Sequence, residues 1–194
     1  MTTVGERVGT AELGAHVAAC RDALGRLSGE LVTVERWAAE LAATLTGGGR
    51  LLVAGNGGSA ALAQHLSAEL VGRYRTDRRP FDALALPADT SALTALVNDY
   101  GPSAMYARQV HAYGRPGDVL LCLSTSGRSP NLLGAVAAAH EGGLSAWAMT
   151  GPAPNPLAGA SDDVIVTDAA PPTVQEVQQV VVHLLCSAFD AAVG

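Results

Sequence analysis

The chain has 194 residues, enough for one domain with a full core. Hydrophobic residues make up 48% and charged residues 15%, and the net charge is −6, which argues against a nucleic-acid surface as the main business. All twelve basic residues are arginine, so Schiff-base and P-loop chemistry, which need a lysine amine, are excluded. The first ten residues, MTTVGERVGT, carry no basic and apolar signal segment and are expected to be loose. Apolar positions at helical spacing then predict helices over 11–27 and 31–45, broken by Gly29 and stopped by Gly47–Gly49. Strands are expected at 51–55, 82–86, 118–123, 144–149 and 163–167. Helices fill the gaps at 59–72, 90–98, 103–113, 129–141 and 172–192. This alternation predicts an α/β fold, a doubly wound five-stranded parallel sheet flanked by helices. We read it as a single domain, with a helical segment at 1–49 and an α/β core at 50–194. No run of 18 apolar residues is present, so no membrane span is expected. Cys20, Cys122 and Cys186 are odd in number and lack CxxC spacing, and read as reduced, buried thiols of a cytoplasmic protein.

Two loops carry the chemistry. The first is Gly55-Asn56-Gly57-Gly58-Ser59, a turn between strand and helix with Ser59 as expected N-cap. Its helix presents free N–H groups at its start. One turn on, His65 and Glu69 share a face at i, i+4. The second loop, Ser124-Thr125-Ser126-Gly127-Arg128-Ser129, follows an apolar strand and leads into a helix with Pro130 at its first position. Four hydroxyls, a glycine and a helix N-terminus suit a phosphate.

Gly55, Gly57 and Ala60 also fit G-x-G-x-x-A, a weak dinucleotide signal. The acidic residue such a site wants at the end of the second strand is missing, since that window reads RYRTDRR. The last helix sets Gln175, Glu176, Gln178, Gln179 and His183 in an apolar sequence, and polar groups there need partners if buried. Gln175 and His183 lie about 80° apart on a helical wheel. Glu176 aligns better, so geometry alone pairs Glu176 with His183. Arg73, Arg75, Arg78 and Arg79 read as a solvated loop. His16, His111 and His140 stand without chemical company in the sequence.

GNGGS (55–59), QHLSAEL (64–70), GRYR (72–75), VNDYG (97–101), the GDVLL and LSTSG segments within 117–129, and VQEVQQVVVH (174–183) together resemble the sugar isomerase (SIS) domain family, and within it the phosphoheptose (sedoheptulose 7-phosphate) isomerases. The resemblance runs from about residue 30 to the end. It implies aldose–ketose isomerisation of a seven-carbon sugar phosphate through an enediol, in carbohydrate metabolism and heptose biosynthesis. By the same resemblance, Ser124, Thr125, Ser126 and Ser129 bind phosphate. Asn56, Gly57, Ser59, Arg73, Asn98, Asp99 and Gln175 contact the sugar, and Glu69 and His183 form the acid–base pair. It also implies a zinc ion held by His65, Glu69, Gln175 and His183, so the resemblance selects Gln175 where the wheel selects Glu176. A homotetramer with sites between subunits is implied as well. The chain departs from the family's pattern at Leu62, where an acidic residue is common. It departs too at Pro172 (Asp), Gln178 (His) and Arg128 (Asn). The other reading is a non-catalytic protein of the same fold that binds a replication initiator or senses sugar phosphates. Members of the initiator-binding type lack the acid–base pair.

Overall fold

The structure is a computed structural model and describes residues 9–194. Residues 1–8 of the expected loose stretch lie outside it, and Thr10 already begins a helix. The order is α1 (Thr10–Arg26), a 3-10 turn (Leu27–Glu30), α2 (Leu31–Thr46), β1 (Leu51–Gly55), α3 (Gly58–Val71), β2 (Ala83–Ala85) and α4 (Thr90–Tyr100). A 3-10 turn (Pro102–Ala104), α5 (Met105–Tyr113), β3 (Val119–Ser124), α6 (Pro130–Glu141), β4 (Ser145–Thr150), α7 (Pro156–Ala160), β5 (Asp163–Val166) and α8 (Pro171–Val193) follow. Every strand pairing is parallel, in the order β2-β1-β3-β4-β5, so the expected sheet is present.

The strands are near-continuous apolar runs because both faces of the sheet are covered. Alternate residues of each strand feed separate cores. Leu51, Val53, Leu121, Leu123, Trp147, Met149 and Ile165 pack under α2, α3 and α8. Leu52, Ala54, Leu120, Cys122, Ala146 and Ala148 pack under α5 and α6. The N-terminal helices therefore belong to the first layer, where α2 lies against α8 and the sheet. The short helix α7 was not expected, because five residues show no period. Its N-cap is Asn155, whose side chain accepts from Ala158 N–H.

One polar knot fixes α2 to the sheet. Trp37 stacks on Trp147 with ring centroids 4.9 Å apart, and its indole N–H donates to Asp163 Oδ2 at 2.7 Å. Arg36 pairs with the same carboxylate. Burial pushes the Asp163 carboxyl up, but hydrogen bonds from Arg36, Trp37 and Val164 N–H outweigh it and hold the group below its ordinary value. A depressed folded value means that this stabilisation is complete above the ordinary carboxylate range. It is lost as pH falls through the folded value. Asp163→Ala orphans the buried indole N–H and is expected to cost about 1–3 kcal/mol, read as a lower urea midpoint. The variant's midpoint should also lose part of the acid dependence seen in the parent chain.

Candidate active site

In the sheet order, the chain steps from β1 to β2 on one side and then returns to β3 on the other. The crevice at the carboxyl ends of β1 and β3 is thus the topological switch point, where ligands bind in doubly wound sheets. Both loops singled out in the sequence end there.

The glycine turn is built by need. Gly57 has φ +54°, and a Cβ on Gly58 would land in the Gln175 carboxamide. The helix begins at Gly58 with Gly57 in the cap position, so Ser59 is not the N-cap. It is buried in the first turn. Tyr106 O–H donates to the Gly55 carbonyl at 2.5 Å and pins the end of β1. Burial pushes that phenol up to about 12, so it stays a donor.

The serine loop folds back on itself. Ser124 Oγ accepts from Gly127 N–H at 3.0 Å, which leaves its own proton available. Gly127 has φ +63°, and a Cβ there would collide with the Asn155 carboxamide. Ser129 occupies the cap position of α6, but its hydroxyl makes no capping bond. Asn131 and Asn56 exchange amide hydrogen bonds at 3.0 and 2.8 Å, joining the two loops. Between them lies a cavity of about 70 Å³ lined by Asn56, Ser59, Leu123, Ser124, Thr125, Ser126 and Ser129. Two helix N-termini and several hydroxyls around a small cavity suit an anion without any lysine. Gln178, fully buried on α8, donates to the carbonyls of Met149 at 2.9 Å and Ser124 at 3.3 Å, tying β3 to β4 beneath the loop. The sequence signal for it was a polar side chain on an apolar helix.

A second group stands on α3 and α8. His65 Nε2 is 2.9 Å from His183 Nε2 and 3.6 Å from Glu69 Oε1. Gln179 Nε2 lies 3.0 Å from His183 Nε2, and with that amide donating, the imidazole nitrogen is an acceptor. Tyr74 packs on the His183 ring at 5.5 Å between centroids. The Glu69 side chain is 18% exposed, more enclosed than a free surface pair would be. So His65 touches both Glu69 on its own helix and His183, 118 positions along the chain. Two imidazoles and a carboxylate are the donor types that a zinc-type ion takes.

Gln175 packs over Gly58, at the start of the helix that carries His65 and Glu69. Glu176 does not face His183, so the helical-wheel choice was wrong. Its carboxylate instead meets His16 and Cys20 of α1. The wheel measures angles on one helix and ignores what the neighbouring helix presents. His16 therefore has company, and Cys20 is only partly buried, unlike Cys122 and Cys186. His111 and His140 form surface pairs with Glu141 and Asp162.

Among the arginines, Arg78 is no solvated loop residue. Its guanidinium donates to Asp190 at 2.8 Å and to the carbonyls of Glu69 and Leu70, closing the end of α3. Arg73 is exposed and donates to the Arg75 carbonyl. Asn98 and Asp99 are exposed on α4 and bonded to each other at 2.7 Å. No hydrogen bond among the described residues brings Arg73, Asn98 or Asp99 to the serine-loop cavity.

Residues 17–151 match the SIS domain family. A phosphoheptose isomerase of Streptomyces coelicolor is 59% identical over 171 residues, spanning 88% of this chain and 74% of that protein. The structure of a phosphoheptose isomerase from Francisella tularensis superposes with a TM-score of 0.88 at 32% identity, covering 93% of this chain and 97% of that one. Its counterpart from Neisseria gonorrhoeae gives 0.85 at 38% identity, covering 93% and 98%. Fold, loops and comparisons agree, and the chain belongs to the SIS domain family, in its phosphoheptose isomerase branch.

Proposed function

We propose that this chain interconverts sedoheptulose 7-phosphate and D-glycero-D-manno-heptose 7-phosphate, with Glu69 and His183 moving the protons. The observation that carries this reading is that His65 touches both Glu69 and His183, on the two helices whose first turns meet where Gln175 packs over Gly58. Isomerisation shifts a proton between neighbouring carbons through an enediol. It needs a base for the C–H proton and a proton donor at the carbonyl oxygen. A carboxylate and an imidazole supply that pair; when the enediol collapses, the base returns the proton to the neighbouring carbon and the acid takes one back from the other hydroxyl. The serine loop holds the phosphate end through Ser124, Thr125, Ser126 and Ser129. Asn56, Gly57, Ser59 and Gln175 flank the sugar.

His65, Glu69, Gln175 and His183 are the residues that would hold zinc, which when bound supplies a Lewis acid for the carbonyl oxygen. Proton transfer by Glu69 or His183 belongs to the moments when that side chain is unligated.

Arg73, Asn98 and Asp99 serve a site in a neighbouring copy of a homotetramer. The exposed apolar residues Leu13, Val17 and Val32 on the N-terminal helices, with Val97 and Tyr100 on α4, support such assembly. The enzyme works in the cytoplasm; among the described residues no helix is long and apolar enough to cross a membrane. A purely sensory or initiator-binding role has no use for an acid–base pair, and relatives at this identity carry an isomerase's name.

The direct test is incubation with sedoheptulose 7-phosphate, with and without added zinc, following aldose formation. No conversion under either condition would remove the proposal. Ser124→Ala is expected to raise KM for the sugar phosphate about tenfold, with a smaller change in kcat, since it removes binding shared by ground and transition states. An unchanged KM would place the phosphate elsewhere.

A further inference from the structure

Three side chains outside the proposed active centre meet where α1 crosses α8. His16 and Cys20 are four apart on α1 and leave the same face of it. Glu176 reaches them from α8, with Oε1 2.8 Å from His16 Nε2 and Oε2 2.7 Å from Cys20 Sγ. Cys20 Sγ is 3.7 Å from His16 Nε2, and the three donor atoms all lie within 4.8 Å of one another. A tetrahedral zinc ion, with bonds of about 2.3 Å to sulfur and about 2.0 Å to nitrogen, holds such a pair roughly 3.5 Å apart. Thiol and imidazole are therefore already spaced as ligands of one ion. The His16 and Glu176 side chains are each nearly half exposed, which leaves an entry path and room for a water in the fourth position.

We infer that His16, Cys20 and Glu176 form a second cation site, for a zinc-type divalent ion, that clamps α1 to the first turns of α8. The mixed sulfur, nitrogen and oxygen set selects this class, since magnesium and calcium take oxygen ligands. On binding, the Cys20 S–H bond breaks and its proton passes to solvent while a sulfur–metal bond forms. The neutral His16 ring, whose Nε2–H donates to Glu176 before the ion arrives, passes that proton through solvent to Nδ1 and gives the Nε2 lone pair. Glu176 exchanges its two hydrogen bonds for one metal bond, so one proton leaves per ion bound. Glu176 directly follows Gln175, so the clamp steadies the turn from which Gln175 reaches over Gly58.

Cobalt(II) titrated into the full chain tests this. A sulfur-to-cobalt charge-transfer band in the near ultraviolet should appear, and Cys20→Ser should abolish it with the loss of one cobalt per chain. His16→Ala keeps the sulfur and is expected to weaken that cobalt at least about tenfold. Circular dichroism confirms that each variant is folded. Uptake without the band, a band that survives in Cys20→Ser, unchanged affinity in His16→Ala, or no uptake at all would overturn the site. The cluster of His65, Glu69, Gln175 and His183 has no sulfur, so the band does not depend on the fate of the proposed catalytic reading.

Discussion

Glu69→Gln is expected to lower turnover by about 10²–10⁴-fold, the usual worth of a positioned acid or base. The replacement keeps the shape of the side chain and removes its charge and basicity. Since Glu69 lies on an α3 whose packing residues are Leu62, Ala63, Leu66 and Leu70, the helix has no structural need of that carboxylate. Circular dichroism and the thermal midpoint should therefore stay close to the parent values while kcat falls. His183→Ala should cost a similar factor, with a somewhat larger stability loss, because the ring also packs against Tyr74 and bonds Gln179. If the two act as a unit, the double variant falls little further than the worse single one. Steady-state rates of the three variants decide the matter. Full activity in either single variant would dismiss both assignments, and independent, multiplying losses would mean that the two side chains serve separate steps.

Gly127→Ala is the other change expected to be severe. At φ +63° an L side chain is strained by about 1–2 kcal/mol before any contact is counted. Its Cβ would also collide with Asn155, which is buried, caps α7 and donates to the Thr150 hydroxyl. The loop must move, and the Gly127 N–H that holds Ser124 Oγ moves with it. KM for the sugar phosphate should rise by about tenfold or more with a lower thermal midpoint. Ser124→Ala should share the KM effect and leave the midpoint nearly unchanged. A Gly127→Ala chain with parental KM would show that the loop's shape does not govern phosphate binding.

The sheet could be read from the sequence because each strand is a short apolar run that needs cover on both faces. The glycine turn and the serine loop were legible because positive φ and hydroxyl density are local properties. What the sequence hid depends on partners brought from far along the chain. Glu176 sits near the line of His183 on the wheel, yet α1 places His16 and Cys20 on its side of α8. Gln175 lies off that line, yet the missing side chain of Gly58 gives it room above α3. Arg78 looks like its neighbours in a basic loop until its guanidinium is seen to lie over the edge-to-face pair of Phe81 and Phe189. Asp163, the first residue of a short edge strand, gave no hint that it would anchor a buried tryptophan.

Both tryptophans of the chain, Trp37 and Trp147, lie in the single stacked contact between α2 and β4. Intrinsic emission of this protein is therefore a gauge of one joint only. Spectral shifts on heating or in denaturant report whether the second helix is seated on the sheet. They say nothing directly about the catalytic crevice, so comparing emission with residual turnover would show whether the two ends of the molecule come apart together.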